Sequence, residues 1–337
     1  MTEVSHPLAT DTESRWDRLP SPTYLWFLGL LSLPAILFDR LELLRPLAFC
    51  FLFGFWPFVA GLFDGVTDEE VDPIDWLDTG DTWARMRALV SFLLLSVQPV
   101  VAVTGLLQIL GQLPMLARYR GDLPAPESYD PATDFRLPFD GEWTVVNGSS
   151  DERFSHSWSM FTQRYAYDFV IADADGRTHE GERTGPDAHD CFGEPILAPA
   201  EGTVVETKTG HRDHPRTNGW LDLRQRDIRG NYVTIEHDGG EYSVLAHLQR
   251  DSVTVNPGDW VERGQRIGRC GNSGNTSEPH LHFHVQDHPN FFLGMGLPVP
   301  FVDLVTRFPA TDPTHHDRAF VHAGQLVAHD RARERSN

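Results

Sequence analysis

Gly271-Asn272-Ser273-Gly274-Asn275-Thr276-Ser277-Glu278-Pro279-His280-Leu281-His282-Phe283-His284 is the stretch on which the fold turns. A Gly- and Ser-rich turn runs into strictly alternating residues, and alternation is the mark of a β-strand, whose side chains point to opposite faces at every step. Leu281, Phe283 and Val285 then belong to a core, and His280, His282 and His284 share the other face. A lone strand histidine is ordinarily structural. Three on one face beside a glycine-rich loop read as a site, since imidazole ligates metals and exchanges protons near neutral pH.

Outward from that strand, short β-type segments separated by turns fill the C-terminal half. They are Trp143 to Val146, Ala166 to Ala172, Pro195 to Ala198, Thr203 to Glu206, Asn231 to Glu236, Tyr242 to Ala246 and His280 to Val285. Helical periodicity is weak there, so the fold expected is an all-β, mainly antiparallel, sandwich-like domain. The N-terminal part differs. Leu19 to Phe38, Pro46 to Phe63 and Ala88 to Ala117 are long apolar runs, and about 20 apolar residues span a bilayer as a helix. The organisation expected is a polar tail over 1–18 and a membrane region of about three transmembrane helices over 19–120. A Pro- and Asp-rich linker over 121–140, a β domain over 141–310 and a polar, peripheral tail over 311–337 follow. The polar N-terminus shows no cleavable signal pattern. The lipid bilayer is therefore an expected partner, with a multi-pass topology. The positive-inside rule is tied, with Arg15, Arg18, Arg85 and Arg87 on one side and Arg40, Arg45, Arg118 and Arg120 on the other.

The 337 residues carry 48 acidic against 28 basic side chains, a formal net charge of −20, and Lys208 is the sole lysine. Acid excess with Arg in place of Lys is similar to proteins of salt-loving archaea, whose carboxylate-rich surfaces stay hydrated where salt screens charge. Nucleic acid is excluded as a partner, because no basic stripe exists to meet phosphates. Three cysteines cannot build a disulfide framework, and the absence of C-x-x-C leaves no thiolate zinc cluster. Cys191 and Cys270 both fall near candidate site residues, and their pairing is left open.

Four stretches together resemble the lysostaphin-like zinc metallopeptidases, which cleave peptide cross-bridges of bacterial cell walls. Gln163-Arg164-Tyr165-Ala166-Tyr167-Asp168-Phe169 resembles the strand with the zinc-binding aspartate, and Pro195 to Val205 the hairpin behind the site. Gly230 to His237 with Tyr242 to Leu248 resembles the segment ending in a Tyr-x-His-Leu histidine, here His247. Val255 to Gly274 leads into the His-x-His strand. The resemblance covers about Trp143 to Phe308 and implies a duplicated-hybrid-motif fold and one Zn2+ with an open coordination position. By position it implies Asp168 and His282 as ligands. It implies His247 and His280 as catalytic groups, one taking the proton of the zinc-bound water and the other steadying the oxyanion. Where the family has a further histidine, this chain has Arg164, which lacks a lone pair for a cation. The upstream His156 is the third ligand expected. His284 either orients a site histidine or sits at the strand end in water.

The function this implies is a membrane-anchored zinc metalloendopeptidase acting on peptide bonds of cell-envelope polymers or surface proteins, which calls for an extracytoplasmic domain. Two other classes compete. The Ala198 to Val204 hairpin and the Gly258 to Gln265 stretch also resemble biotinyl/lipoyl carriers and sugar-phosphotransferase IIA domains, although Thr207 and Thr209 do not flank Lys208 as a carrier lysine would be flanked. The last class is a catalytically silent, zinc-free binding module using the same groove.

Overall fold

The computed structural model describes residues 73–330 except 79, 97 and 156, together with 25–29 and scattered positions from 32 to 50. The chain divides into two compact units, Met1–Glu70 and Val71–Asn337. In the first, helix α1 spans Trp26–Gly29. The second holds all the elements that follow.

Two helices come first, α2 (Thr82–Ser96) and α3 (Pro99–Tyr119). The third apolar run is thus broken rather than continuous. Pro99 takes the first turn of α3, and the Gln98 side chain caps it by accepting from the Val101 amide at 2.8 Å. Arg120 ends it in the left-handed conformation. Among the described residues α3 is the one helix long and apolar enough to cross a membrane. The runs Leu19 to Phe38 and Pro46 to Phe63 lie almost wholly outside the described residues. The expected multi-pass topology is corrected accordingly to one membrane-length helix. The tied arginine count across three crossings falls with that topology.

The β domain comprises β1 (Glu142–Asn147), β2 (Tyr167–Val170), β3 (Pro195–Leu197), β4 (Gly202–Lys208), β5 (Asn231–Glu236), β6 (Tyr242–Leu248), β7 (Trp260–Val261), β8 (Arg266–Arg269), β9 (Leu281–Gln286), β10 (Phe301–Arg307), β11 (Thr314–Ala319) and β12 (Leu326–His329). Ten of them form one antiparallel sheet in the order β11-β10-β12-β1-β2-β9-β6-β5-β4-β7, and β3 pairs with β8 in a separate two-stranded layer. Ile196 on β3 and Ile267 on β8 enter the same core as Val204, Val233 and Leu245 of the large sheet.

Alternation on β9 holds as read. Leu281, Phe283 and Val285 are at most 1% exposed and point into the core. There the Phe283 ring meets Phe301 at 5.5 Å between centroids, and Phe301 in turn meets Tyr167 at 5.6 Å. The stretch read from sequence as a polar tail supplies two strands. β12 lies between β10 and β1, pairing Leu304 with His329 and Glu142 with Ala328, and Val327 is fully buried. β11 is a sheet edge of sequence THHDRA. It carries no apolar alternation; backbone pairing with β10 and polar side-chain contacts, Thr306 Oγ1 to His316 Nε2 at 2.9 Å and His315 Nδ1 to Asp330 Oδ2 at 2.6 Å, hold it there. Cys191 and Cys270 are buried and free.

Phe283→Ala removes the ring on which this aromatic cluster closes and should cost about 3–5 kcal/mol. The expected reading is a lower denaturant midpoint with an unchanged slope.

Candidate functional site

The polar face of β9 lies between β2 and β6. Register places Asp168 directly opposite His282 on one side, and Ala246 opposite His282 on the other. Cross-strand partners share a face, so Asp168, Ala246 and His282 line one patch. By alternation His247 would then point into the core with Leu245. It does not, because its backbone sits at φ +62°, a left-handed conformation that interrupts the strand. The ring instead stands beside His280 at 4.6 Å and His282 at 5.7 Å between centroids. The structure thus brings Asp168, His247, His280 and His282 together. His156 lies outside the described residues.

A line of buried hydrogen bonds runs through this patch. Asn147 Nδ2 donates to Asp168 Oδ2 at 3.1 Å, and His282 Nδ1 meets Asp168 Oδ1 at 2.9 Å. His282 Nε2 meets His284 Nδ1 at 3.0 Å, and His284 Nε2 meets Gln286 Oε1 at 3.1 Å. The far end fixes the proton positions. The Gln286 amide nitrogen donates to the His288 carbonyl at 2.6 Å, so its oxygen is the atom that accepts from His284 Nε2–H. His284 Nδ1 must then accept, and His282 Nε2–H must donate to it. His282 Nδ1 faces the Asp168 carboxylate on its other side. Burial and the neighbouring His282 hold His284 down at about 3, in keeping with a neutral acceptor. Asn147 and Gln286 carry no sequence signal as site residues. Their place became visible only through strand register.

The remaining imidazoles are fixed by the glycine-rich loop. His247 Nδ1 donates to the Ser273 carbonyl at 2.8 Å, and His280 Nδ1 donates to the Glu278 carbonyl at 2.9 Å. Burial, then the nearby His280 and His282, push His247 well below the ordinary histidine range. His280 Nε2 lies 3.8 Å from Asp168 Oδ1. The loop is locked in turn. Ser273 Oγ donates to the Leu248 carbonyl and accepts from the Asn231 amide, and the Asn231 side chain donates to the His211 and Leu248 carbonyls. Behind it His189 is buried with neither ring nitrogen hydrogen-bonded among the described residues, 4.0 Å from Glu278 Oε2. Burial, with lesser contributions from His179 and Arg183, lowers His189 to about 4. Burial also raises Glu278, against the opposing effects of Arg183 and His280.

The zinc centre expected from the resemblance is corrected here. Among the described residues no group of three or more His, Cys, Asp or Glu side chains is placed to hold a metal ion. The donor chemistry gives the reason. A ligand nitrogen must present a lone pair, and both ring nitrogens of His282 lie within hydrogen-bond distance of protein atoms, Asp168 Oδ1 and His284 Nδ1. Arg164, where a further ligand would stand, lies over the rings of Trp158 and Phe161, 5.0 Å from each centroid. The described residues do not fit Zn2+, and the zinc metalloendopeptidase activity built on it is set aside with it.

The sequence profile described as peptidase family M23 matches residues 181–291. That segment holds His247, His280 and His282 and begins after Asp168. Among curated proteins, the peptidoglycan DD-endopeptidase ShyA of Vibrio cholerae is 30% identical over 150 residues, covering 44% of this chain and 26% of that one. The glycyl-glycine endopeptidase ALE-1 of Staphylococcus capitis is 30% identical over 142 residues, 42% of this chain and 33% of that one. Lysostaphin of Staphylococcus simulans is 28% identical over 141 residues, 42% and 24% respectively. The chain thus spans about a quarter to a third of the length of these relatives. Among solved structures, a zinc-containing peptidase of Vibrio cholerae is 23% identical, covering 49% of this chain and 41% of that one with a TM-score of 0.30.

Two predictions follow from the loop. Gly274 sits at φ +90°, and a Cβ there would lie 2.4 Å from the Gly230 backbone nitrogen. Gly274→Ala should destabilise the domain by more than about 2 kcal/mol, read by denaturant unfolding. For His189 the folded value lies below the unfolded one, so the unfolded chain binds the extra proton. Its contribution is complete above about pH 6.5 and is lost as pH falls toward about 4. His189→Phe should flatten the stability curve in that window by about 1.4 kcal/mol per pH unit. An unchanged slope would show that His189 does not stay neutral.

Proposed function

From the premise that the C-terminal half of this chain is a lysostaphin-like domain of peptidase family M23, we propose that it is a metal-free module that binds cell-envelope peptides without cleaving them. The observation that carries this reading is the closed relay from Asn147 through Asp168, His282 and His284 to Gln286, which uses both nitrogens of His282 inside the protein. A side chain engaged at both ring nitrogens inside the protein is a rigid wall rather than a Lewis-acid mount. The peptide specificity is taken from the relatives whose names state peptidoglycan or glycyl-glycine cleavage.

The recognition chemistry then falls to His247 and His280. Each gives its Nδ1 proton to a loop carbonyl; His247, held neutral by burial, leaves its Nε2 as an acceptor, and the His280 Nε2 stands beside it. Two such nitrogens on neighbouring rings suit successive polar groups of an extended peptide. Their fixed tautomers lower the ordering cost on binding. Carrier chemistry has less support. The sole lysine, Lys208, ends β4 and is tied to Asp227 at 3.2 Å instead of standing free at a hairpin tip.

The test uses the full chain and insoluble peptidoglycan sacculi. The chain should co-sediment with the sacculi, hold no stoichiometric zinc after dialysis, and release no new amino termini with or without added zinc. His280→Phe should weaken the association about ten-fold, the loss of one hydrogen bond to a buried partner. Multiple-turnover release of amino termini, or one retained zinc per chain, would sink the proposal.

A further inference from the structure

Helix α3 keeps a long apolar row away from the domain it packs on. Its face toward the β domain buries Gly111, Gln112 and Met115, with Thr104, Gln108 and Ile109 half-buried. Its outward face is an unbroken apolar row that includes Val103, Leu107, Leu110 and Leu113, with Val103 56% and Leu113 63% exposed. A surface helix of a water-soluble domain has the reverse arrangement. An exposed apolar strip of this length calls for a cover.

The helix is also pinned to the β domain along its whole length. At its start, Gln98 Nε2 donates to the Gln225 carbonyl at 3.1 Å. Midway, Gly111 abuts the Phe292 carbonyl so closely that a Cβ would collide with it, and Gln112 Oε1 accepts from the Phe161 amide at 3.3 Å. At its end, Arg118 and Tyr119 hold the two oxygens of Asp287 at 2.8 and 2.7 Å. Twenty-one residues make a rod of about 31 Å, the thickness of a hydrocarbon core. Were the rod upright in a bilayer, the loops carrying Gln225, Phe161 and Asp287 would be buried at three depths in lipid. Irregular polar backbone facing lipid has no partners there.

We infer that α3 lies in the plane of an anionic bilayer surface, its Val103–Leu113 row sunk among the acyl chains and its inner face carrying the β domain. Charge supports lipid as the occupant. Residues 82–120 contain four arginines and no Asp or Glu, in a chain whose formal net charge is −20; Arg118 is paired with Asp287 and Arg87 with Asp81, so the exposed Arg85 and Arg120 carry the positive charge of the strip. A cationic apolar strip on an acidic protein is complementary to anionic headgroups. Trp83 on α2, 70% exposed, and Tyr119 at the end of α3 are residue types that favour the headgroup level. The arrangement also reaches the cleft, because buried Gln225, whose carbonyl accepts from Gln98, donates its side-chain amide to Asn275 Oδ1 at 3.1 Å in the glycine-rich loop. The loop that orients His247 and His280 is thereby held at a set height over the surface. This inference does not depend on what the cleft binds.

The experiment places single cysteines at Val103, Leu107, Leu110 and Leu113 in the full chain carrying Cys50→Ser, each labelled with a small fluorophore. The labelled chain is reconstituted in phosphatidylcholine–phosphatidylglycerol vesicles with acyl chains brominated at different depths. All four positions are exposed, so the substitutions leave the packing intact. An in-plane helix gives all four labels one shallow depth, equal within about one helical turn of 5 Å. A depth that shifts steadily by about 15 Å from Val103 to Leu113, the rise of ten residues, means a crossing helix and overturns the inference. Absence of quenching at all four means that water, a second copy or the chain's own 19–63 segment covers the row, and overturns it equally.

Discussion

The contact between His282 and Asp168 is the interaction on which the polar half of this domain depends. It joins β9 to β2 at the middle of the ten-stranded sheet, at 2.9 Å and almost out of water. Polar groups in such a place are tolerated only when their remaining donors and acceptors are met. Asn147 meets the second carboxylate oxygen, and His284 with Gln286 meets the second imidazole nitrogen. The relay therefore crosses three neighbouring strands, β1, β2 and β9. Their register is fixed by chemistry on one face and by the aromatic core on the other.

That arrangement bears on what the same residue types can hold. A catalytic zinc site needs ligand nitrogens with free lone pairs and an open coordination position. Here the imidazole nearest the aspartate is consumed internally. Two further imidazoles, His247 and His280, are oriented by loop carbonyls that accept from their Nδ1 atoms. What such a face can do at low energetic cost is recognise N–H donors. The strain at His247 is localised where function would place it, because the left-handed residue is what turns its ring from the core toward the cleft.

The helical segment and the cleft form one mechanical unit. Gln98, Gln225 and Asn275 run from the cap of α3 to the glycine-rich loop. Asp287, just past the end of β9, binds the other end of the same helix. The apolar surface of α3 and the imidazoles of β9 are thus attached to the same short set of loops. A helix read from hydropathy alone as an independent anchor is in the structure a part of the domain it precedes.

The sequence by itself determined the character of the strand that carries the histidines, because period-2 alternation is a local property: Leu281, Phe283 and Val285 had to be core and His282 and His284 had to face away from it. It also determined the β class and seven of the strands, each rich enough in apolar residues to declare itself. Only the tertiary structure decided the rest. The strands β11 and β12 were illegible because β11 is polar throughout, held by pairing with β10 and by polar contacts, and β12 is only four residues long. The break of the third apolar run at Pro99 was obscured because hydropathy is blind to capping. The fate of Asp168 and His282 was undecidable from motif spacing. Spacing brings the groups together, whereas proton positions depend on Asn147 and Gln286, residues without a motif whose roles exist only once register sets them in line.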